Sequence, residues 1–170
     1  MGKEKIVLIV ILVLALALRL FGSDQSLWLD EASQAQLSSL TVSQIWQERP
    51  GDFHPPLFYI LAHYWLRFGK SEVWLRLLPI SIGVLGVGLM YVLGNEIMPS
   101  TKIKLRSWTL NFGEITALLL ATNPFHIYYS QEFRMYSLLS FLGIASMYLF
   151  IKSNRWLWIS LALMLYTHYA

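Results

Sequence analysis

Hydrophobic positions fall in five long runs, and one polar stretch separates the first run from the second. Ile6 to Leu18 is wholly apolar, with Lys3 and Lys5 before it and Arg19-Leu20-Phe21 after it. Further apolar runs cover 73–98, 112–129, 135–151 and 156–170. A bilayer-crossing helix needs about 20 such residues. The pattern therefore predicts an all-α integral membrane protein, a multi-pass helical bundle of about five spans near 6–21, 73–98, 112–129, 135–151 and 156–170. Gly83, Gly86 and Gly88 suit close helix packing in the second run, and Asn123-Pro124 predicts a kink or an early end in the third. Ala15-Leu16-Ala17 also fits a signal-peptide cleavage site, the alternative reading of the first run. The last run stops inside apolar sequence, so the chain reads as the N-terminal part of a longer protein whose C-terminal remainder is absent.

The polar stretch 22–72 predicts an outer loop of short juxtamembrane helices. Asp30 opens a helix through Leu40, and Thr41-Val42-Ser43-Gln44 forms a capping box for a second that ends before Pro50-Gly51. Pro56 suits the first turn of a third helix, Leu57 to Phe68. Its spacing places Leu57, Ile60, Leu61, Tyr64, Trp65 and Phe68 on one face and Tyr59, His63 and Arg67 on another. A dozen helical residues reach about 18 Å against a hydrocarbon core of about 30 Å, so this helix is expected along the membrane interface. The basic loop Lys102 to Arg106 then falls in the cytoplasm. This topology predicts a multi-pass membrane protein with a cytoplasmic N-terminus and residue 30 on the outer face.

Composition supports an apolar setting. The chain is 56% hydrophobic and 14% charged, where a soluble domain carries about a quarter charged residues. The net charge of +3 comes from short basic clusters beside apolar runs, and no nucleic-acid motif is present. With no cysteine, disulfides and thiolate metal sites are excluded.

Candidate chemistry is concentrated in two acidic motifs about a hundred residues apart. Loop 22–72 holds six of the ten acidic residues, among them the adjacent pair Asp30-Glu31. The pair reads either as a general base with its neighbour, or metal ligands, or as a helix cap with a solvated first-turn acid. Glu132 and Arg134 lie in a tight connection, where a carboxylate can position substrate or metal and a guanidinium can hold a phosphate bidentately. The plain alternative is an interfacial ion pair. On the expected topology both motifs share the outer face. Asp52-Phe53-His54-Pro55-Pro56 adds an acid and an imidazole to a rigid turn, while His63, His126 and His168 read as packing residues. The aromatics Trp28, Tyr128, Tyr129 and Tyr136 would serve as an interfacial belt in any membrane protein.

Four motifs together resemble one superfamily: Leu27-Trp28-Leu29-Asp30-Glu31-Ala32, Asp52-Phe53-His54-Pro55-Pro56-Leu57, Tyr129-Ser130-Gln131-Glu132-Phe133-Arg134-Met135-Tyr136 and Tyr166-Thr167-His168-Tyr169. Their order and spacing are similar to the N-terminal part of the GT-C glycosyltransferases that use polyprenyl-phosphate sugars, such as the protein O-mannosyltransferases and aminoarabinose transferases. The resemblance implies transfer of a sugar from a polyprenyl-phosphate donor to an acceptor hydroxyl on a protein, lipid or glycan, at the face of a lipid bilayer and with inversion. It implies Asp30 as the catalytic acidic residue with Glu31 beside it, Glu132 as the second acidic position, and Arg134 near the donor phosphate. His54, with Asp52 and Tyr136, would line the same cavity. Some relatives bind a divalent metal there and others need none. The competing readings are a non-enzymatic transporter-like or assembly module, and an inactive truncation.

Overall fold

In a computed structural model describing residues 2–47, 54–105 and 108–169, the apolar runs are helices, most of which pack against α5 (Glu72–Ile97). It is preceded by α1 (Lys3–Leu20), α2 (Leu29–Ser38), α3 (Val42–Gln47) and α4 (Leu57–Trp65). A hairpin follows, β1 (Lys102–Leu105) and β2 (Trp108–Asn111), and then α6 (Phe112–Thr122), α7 (Pro124–Gln131), α8 (Tyr136–Ile151) and α9 (Leu157–Leu165).

The helix starts have local chemical causes. Thr41 and Gln44 form the expected capping box before α3, Gln44 N–H donating to Thr41 Oγ1 and Thr41 N–H to Gln44 Oε1. Ser71 caps α5, and Asn111 caps α6 in a reciprocal box with Glu114. Asn123 caps α7 with Pro124 at its first position, so the expected break in the third run separates two helices.

Two apolar clusters use opposite ends of α5. Leu75, Leu78 and Ile82 pack with Phe58 and Ala62 of α4 and with Phe133 and Met135 of the α7–α8 connection. Val87 packs with Ile11 and Ala15 of α1 and Ala117 and Ala121 of α6. Glycine sets the spacing at one crossing: a Cβ on Gly94 would lie 2.8 Å from the Gly113 Cα.

The expected five-span bundle is not what forms, and the multi-pass localisation that rested on it falls too. Among the described residues only α5 is long and apolar enough to cross a membrane, and half of its apolar stretch is buried inside the fold. The reason is length. At 1.5 Å per residue, the 16 residues of α8 extend about 24 Å and the 11 of α6 about 17 Å, short of a core of about 30 Å. α1 has 18 residues but carries Lys3, Glu4, Lys5 and Arg19. The runs mark helices: α1, α6, α7 and α8 pack against α5 and α9 packs against α8, while many of their large apolar side chains remain exposed. The placement of the N-terminus and residue 30 on opposite sides of a bilayer loses its basis with the span count.

Two smaller expectations also change. Lys102 to Leu105 is a strand, pairing antiparallel with β2 in the register Lys102↔Asn111 and Ile103↔Leu110, where a basic loop was expected. α4 buries Phe58, Tyr59 and Ala62, whereas Leu61, Tyr64 and Phe68 of the face expected to be apolar are exposed. Small Ala62 lets α4 approach the α5 cluster closely, and the aromatic edges of Phe58 and Phe133 then meet at 5.8 Å between centroids.

Candidate functional site

The two acidic motifs do meet, and Glu31 is where they join. A first-turn acid on α2 would ordinarily face solvent. Glu31 is instead fully buried, because α5 offers it a cation and the α7–α8 connection offers it an amide. Arg76 binds it bidentately, through Nε to Oε1 at 3.0 Å and Nη2 to Oε2 at 2.6 Å. The Phe133 N–H donates to Oε1 at 2.7 Å, and the Trp28 N–H reaches Oε2 at 3.4 Å. Arg76 spends its remaining donors on the carbonyls of Ser23, Gln25 and Ser26, which fixes the turn leading into α2.

This fastening presents Asp30 on one side. Its half-exposed carboxylate lies 3.4 Å from the Nη1 of Arg134, which also reaches the Asp30 carbonyl at 3.5 Å. Arg134 is 7% exposed, and its buried Nε–H has no hydrogen-bond partner. Its guanidinium lies 5.8 Å from the Tyr136 ring centroid. The tight step from Glu132 to Arg134, closed by the Arg134 N–H on the Glu132 carbonyl at 2.7 Å, turns these two side chains to different neighbours. Arg134 pairs with Asp30, and Glu132 interacts with the Tyr128 hydroxyl.

A cavity of about 420 Å³ opens beside this cluster, walled by Trp28, Glu31, Arg76, Tyr128, Gln131 and Glu132. Burial pushes the Glu132 carboxyl above the usual carboxylate range, and the nearby charge of Glu31 adds to this. The interaction with Tyr128 and the charge of Arg134 pull in the opposite sense. The same interaction pushes the Tyr128 hydroxyl up.

The remaining sequence candidates are placed less closely. The His54 ring stands 5.3 Å from that of His168, which lies 6.2 Å from the Tyr136 ring, so the second and fourth motifs reach the site's edge through ring contacts. Asp52 lies outside the described residues. No group of three histidine, cysteine or acidic side chains suited to a metal occurs among the described residues. Both oxygens of Glu31 are already taken by Arg76 and amide donors, so this carboxylate is not free to hold a divalent ion.

Arg76, Tyr128 and Gln131 had no chemical role in the sequence reading. Arg76 left one trace, a lone guanidinium one turn into an apolar helix, which needs a buried partner. Nothing in the sequence marks Tyr128 apart from its neighbours. No protein-family model matches the chain, and searches of curated proteins and of solved structures found no match.

Proposed function

We propose that the protein transfers a sugar from a polyprenyl-phosphate donor to an acceptor hydroxyl, with Asp30 as general base and Arg134 as the group that receives the lipid phosphate. The observation that carries this reading is the pairing of a half-exposed carboxylate with a buried guanidinium, next to a cavity whose wall includes Glu31 and Glu132 but neither Asp30 nor Arg134. The four-motif resemblance supplies the substrate class.

The acceptor oxygen forms a bond to the anomeric carbon while its proton passes to the Asp30 carboxylate. The bond from that carbon to the phosphate oxygen breaks, and the lipid phosphate leaves as an anion. A planar guanidinium suits those oxygens because it donates in parallel pairs. One such donor in a water-poor site is worth about 10²–10³ in rate. Attack opposite the leaving phosphate inverts the anomeric centre. Glu31 takes a different part from the one the resemblance gives it. Saturated by Arg76 and two amides, it acts as a positioning residue that holds residues 30 and 134 together. Glu132, its affinity for a proton increased, is a second proton-holding group at the cavity wall.

The test is to incubate the protein with a panel of polyprenyl-phosphate sugars and hydroxyl acceptors, scoring consumption of each donor. Asp30→Asn and Arg134→Ala are each expected to abolish turnover while the circular dichroism stays unchanged. Turnover surviving in Asp30→Asn, or no donor consumed by the unaltered protein, overturns the reading.

A further inference from the structure

A second cavity, of about 480 Å³, shares no lining residue with the first. Its floor is apolar, made by Leu27, Ala35, Leu66 and Leu75, and its rim carries His63, Arg67 and Lys70 with no carboxylate among the lining residues. We propose that this cavity binds an anionic amphiphile, a phosphate-headed lipid whose head sits on Arg67 and Lys70 and whose tail lies on the leucine floor. The proposal is independent of the transfer reaction.

Charge is the first argument. Arg67 makes its polar contacts with neutral groups: Nη2 donates to His63 Nε2 at 3.3 Å, and the guanidinium stands 4.8 Å over the Tyr64 ring. His63 meets the Ser38 carbonyl through Nδ1 at 3.1 Å. That carbonyl can only accept, so Nδ1 carries the proton, and Nε2 of the neutral ring offers Arg67 a lone pair. Arg67 is thus oriented without being neutralised. Lys70 adds a second cation. A phosphate monoester, with a charge of about −1.5 to −2 near neutral pH, matches two cations more closely than a carboxylate does.

Rigidity is the second argument. The turn carrying Arg67 and Lys70 is closed by Trp65 and Trp74, whose rings stack at 4.7 Å and 11°. Each indole N–H donates to the other residue's carbonyl, at 2.8 Å and 3.2 Å. Gly69 runs so close to this clasp that a Cβ there would lie 2.7 Å from the Trp74 ring. The backbone that carries the two cations is therefore fixed beside the apolar lining before any ligand arrives, which lowers the ordering cost of binding. The volume falls within the range of small-molecule sites. Next to it, Phe68 is 78% exposed and can carry the tail onward.

The test is equilibrium binding of dodecyl phosphate to the purified protein, compared with inorganic phosphate and with uncharged dodecanol. Binding is expected to be at least tenfold tighter for dodecyl phosphate than for either alternative, and to weaken at least tenfold in the exposed double variant Arg67→Gln/Lys70→Gln. Filling the floor with Leu66→Trp is expected to weaken it similarly, and Ala35→Leu serves if that variant unfolds. The proposal is overturned by inorganic phosphate binding as tightly, which places recognition in the head alone. Equal binding of dodecanol, or binding in the double variant within twofold of the unaltered protein, also overturns it.

Discussion

Arg76 and Arg19 are both buried guanidinium groups, yet their charges are handled in different ways. Arg76 faces a carboxylate, Glu31, at hydrogen-bond distance, and adds three loop carbonyls. Arg19, fully buried, is held by the carbonyls of Ala15, Leu120 and Ala121 and by Nδ1 of His126 at 2.6 Å. Its Nε finds no partner, nor does Nε2 of His126. Burial lowers the Arg19 pKa to about 10, and burial together with the Arg19 charge holds His126 at about 4. One arginine is half of an ion pair. The other is a cation resting on dipoles at the end of α6, where helix carbonyls lack internal partners. Both join distant segments, but the first does so with a neutralised pair beside the candidate site and the second by stapling helix ends together.

The largest expected effect breaks the paired arginine. Arg76→Met leaves Glu31 buried without its cation, and about 3–5 kcal/mol of stability is expected to be lost in denaturant unfolding. A double-mutant cycle with Glu31→Gln is expected to recover a large part of this, since the second change removes the orphaned charge. A loss under about 1 kcal/mol in Arg76→Met would show that the pair holds nothing together.

Acid tests the unpaired arginine next. His126 binds a proton less readily in the fold than in the unfolded chain, whose ordinary value is near 6.5. The unfolded state therefore takes up more protons between pH 6.5 and 4. Stability is full above that window, falls as the pH drops through it, and levels off below, with a loss on the order of 3 kcal/mol. His126→Asn is expected to flatten this part of the curve, and an unchanged slope in that variant contradicts the assignment.

Arg19→Met sharpens the contrast directly. It strips donors from the Leu120 and Ala121 carbonyls but strands no charge, so a cost of about 1–2 kcal/mol is expected, below that of Arg76→Met. Equal costs for the two variants, measured under one set of conditions, erase the distinction. The smallest effect belongs to Glu132→Gln. Because the fold raises this carboxyl's affinity for a proton, the ionised form weighs against folding at pH 7. The neutral amide is then expected to leave stability unchanged or raise it by up to about 1 kcal/mol, read as a small shift in Tm.

These pairs also show where the sequence is informative. Helix positions were legible because the signals are local: the Thr41–Gln44 box, the break at Asn123-Pro124 and the apolar runs themselves. Their number as membrane spans was not, because composition alone does not say whether an apolar helix meets lipid or another helix. The hairpin was hidden by Lys102 and Lys104, whose charges suggested a topological marker although they alternate with Ile103 and Leu105 as a strand's residues do. The meeting of Asp30 with Arg134 was anticipated from motifs on a shared membrane face, and contacts through Glu31 bring them together instead. Glu31 itself was the hardest residue to read. Its partners Arg76 and Phe133 lie 45 and 102 positions away, and no local pattern joins them.

Those separations impose a schedule on the growing chain. The clasp between Glu31 and Arg76 can close once Arg76 has emerged, whereas the amide of Phe133 arrives roughly 60 residues later. At a synthesis rate of 5–20 residues per second, that interval is about 3–12 s. During it, Glu31 already has its cation, so a bare carboxylate need not wait in an apolar setting. The late segment then docks onto a prepared anchor and brings Arg134 to Asp30.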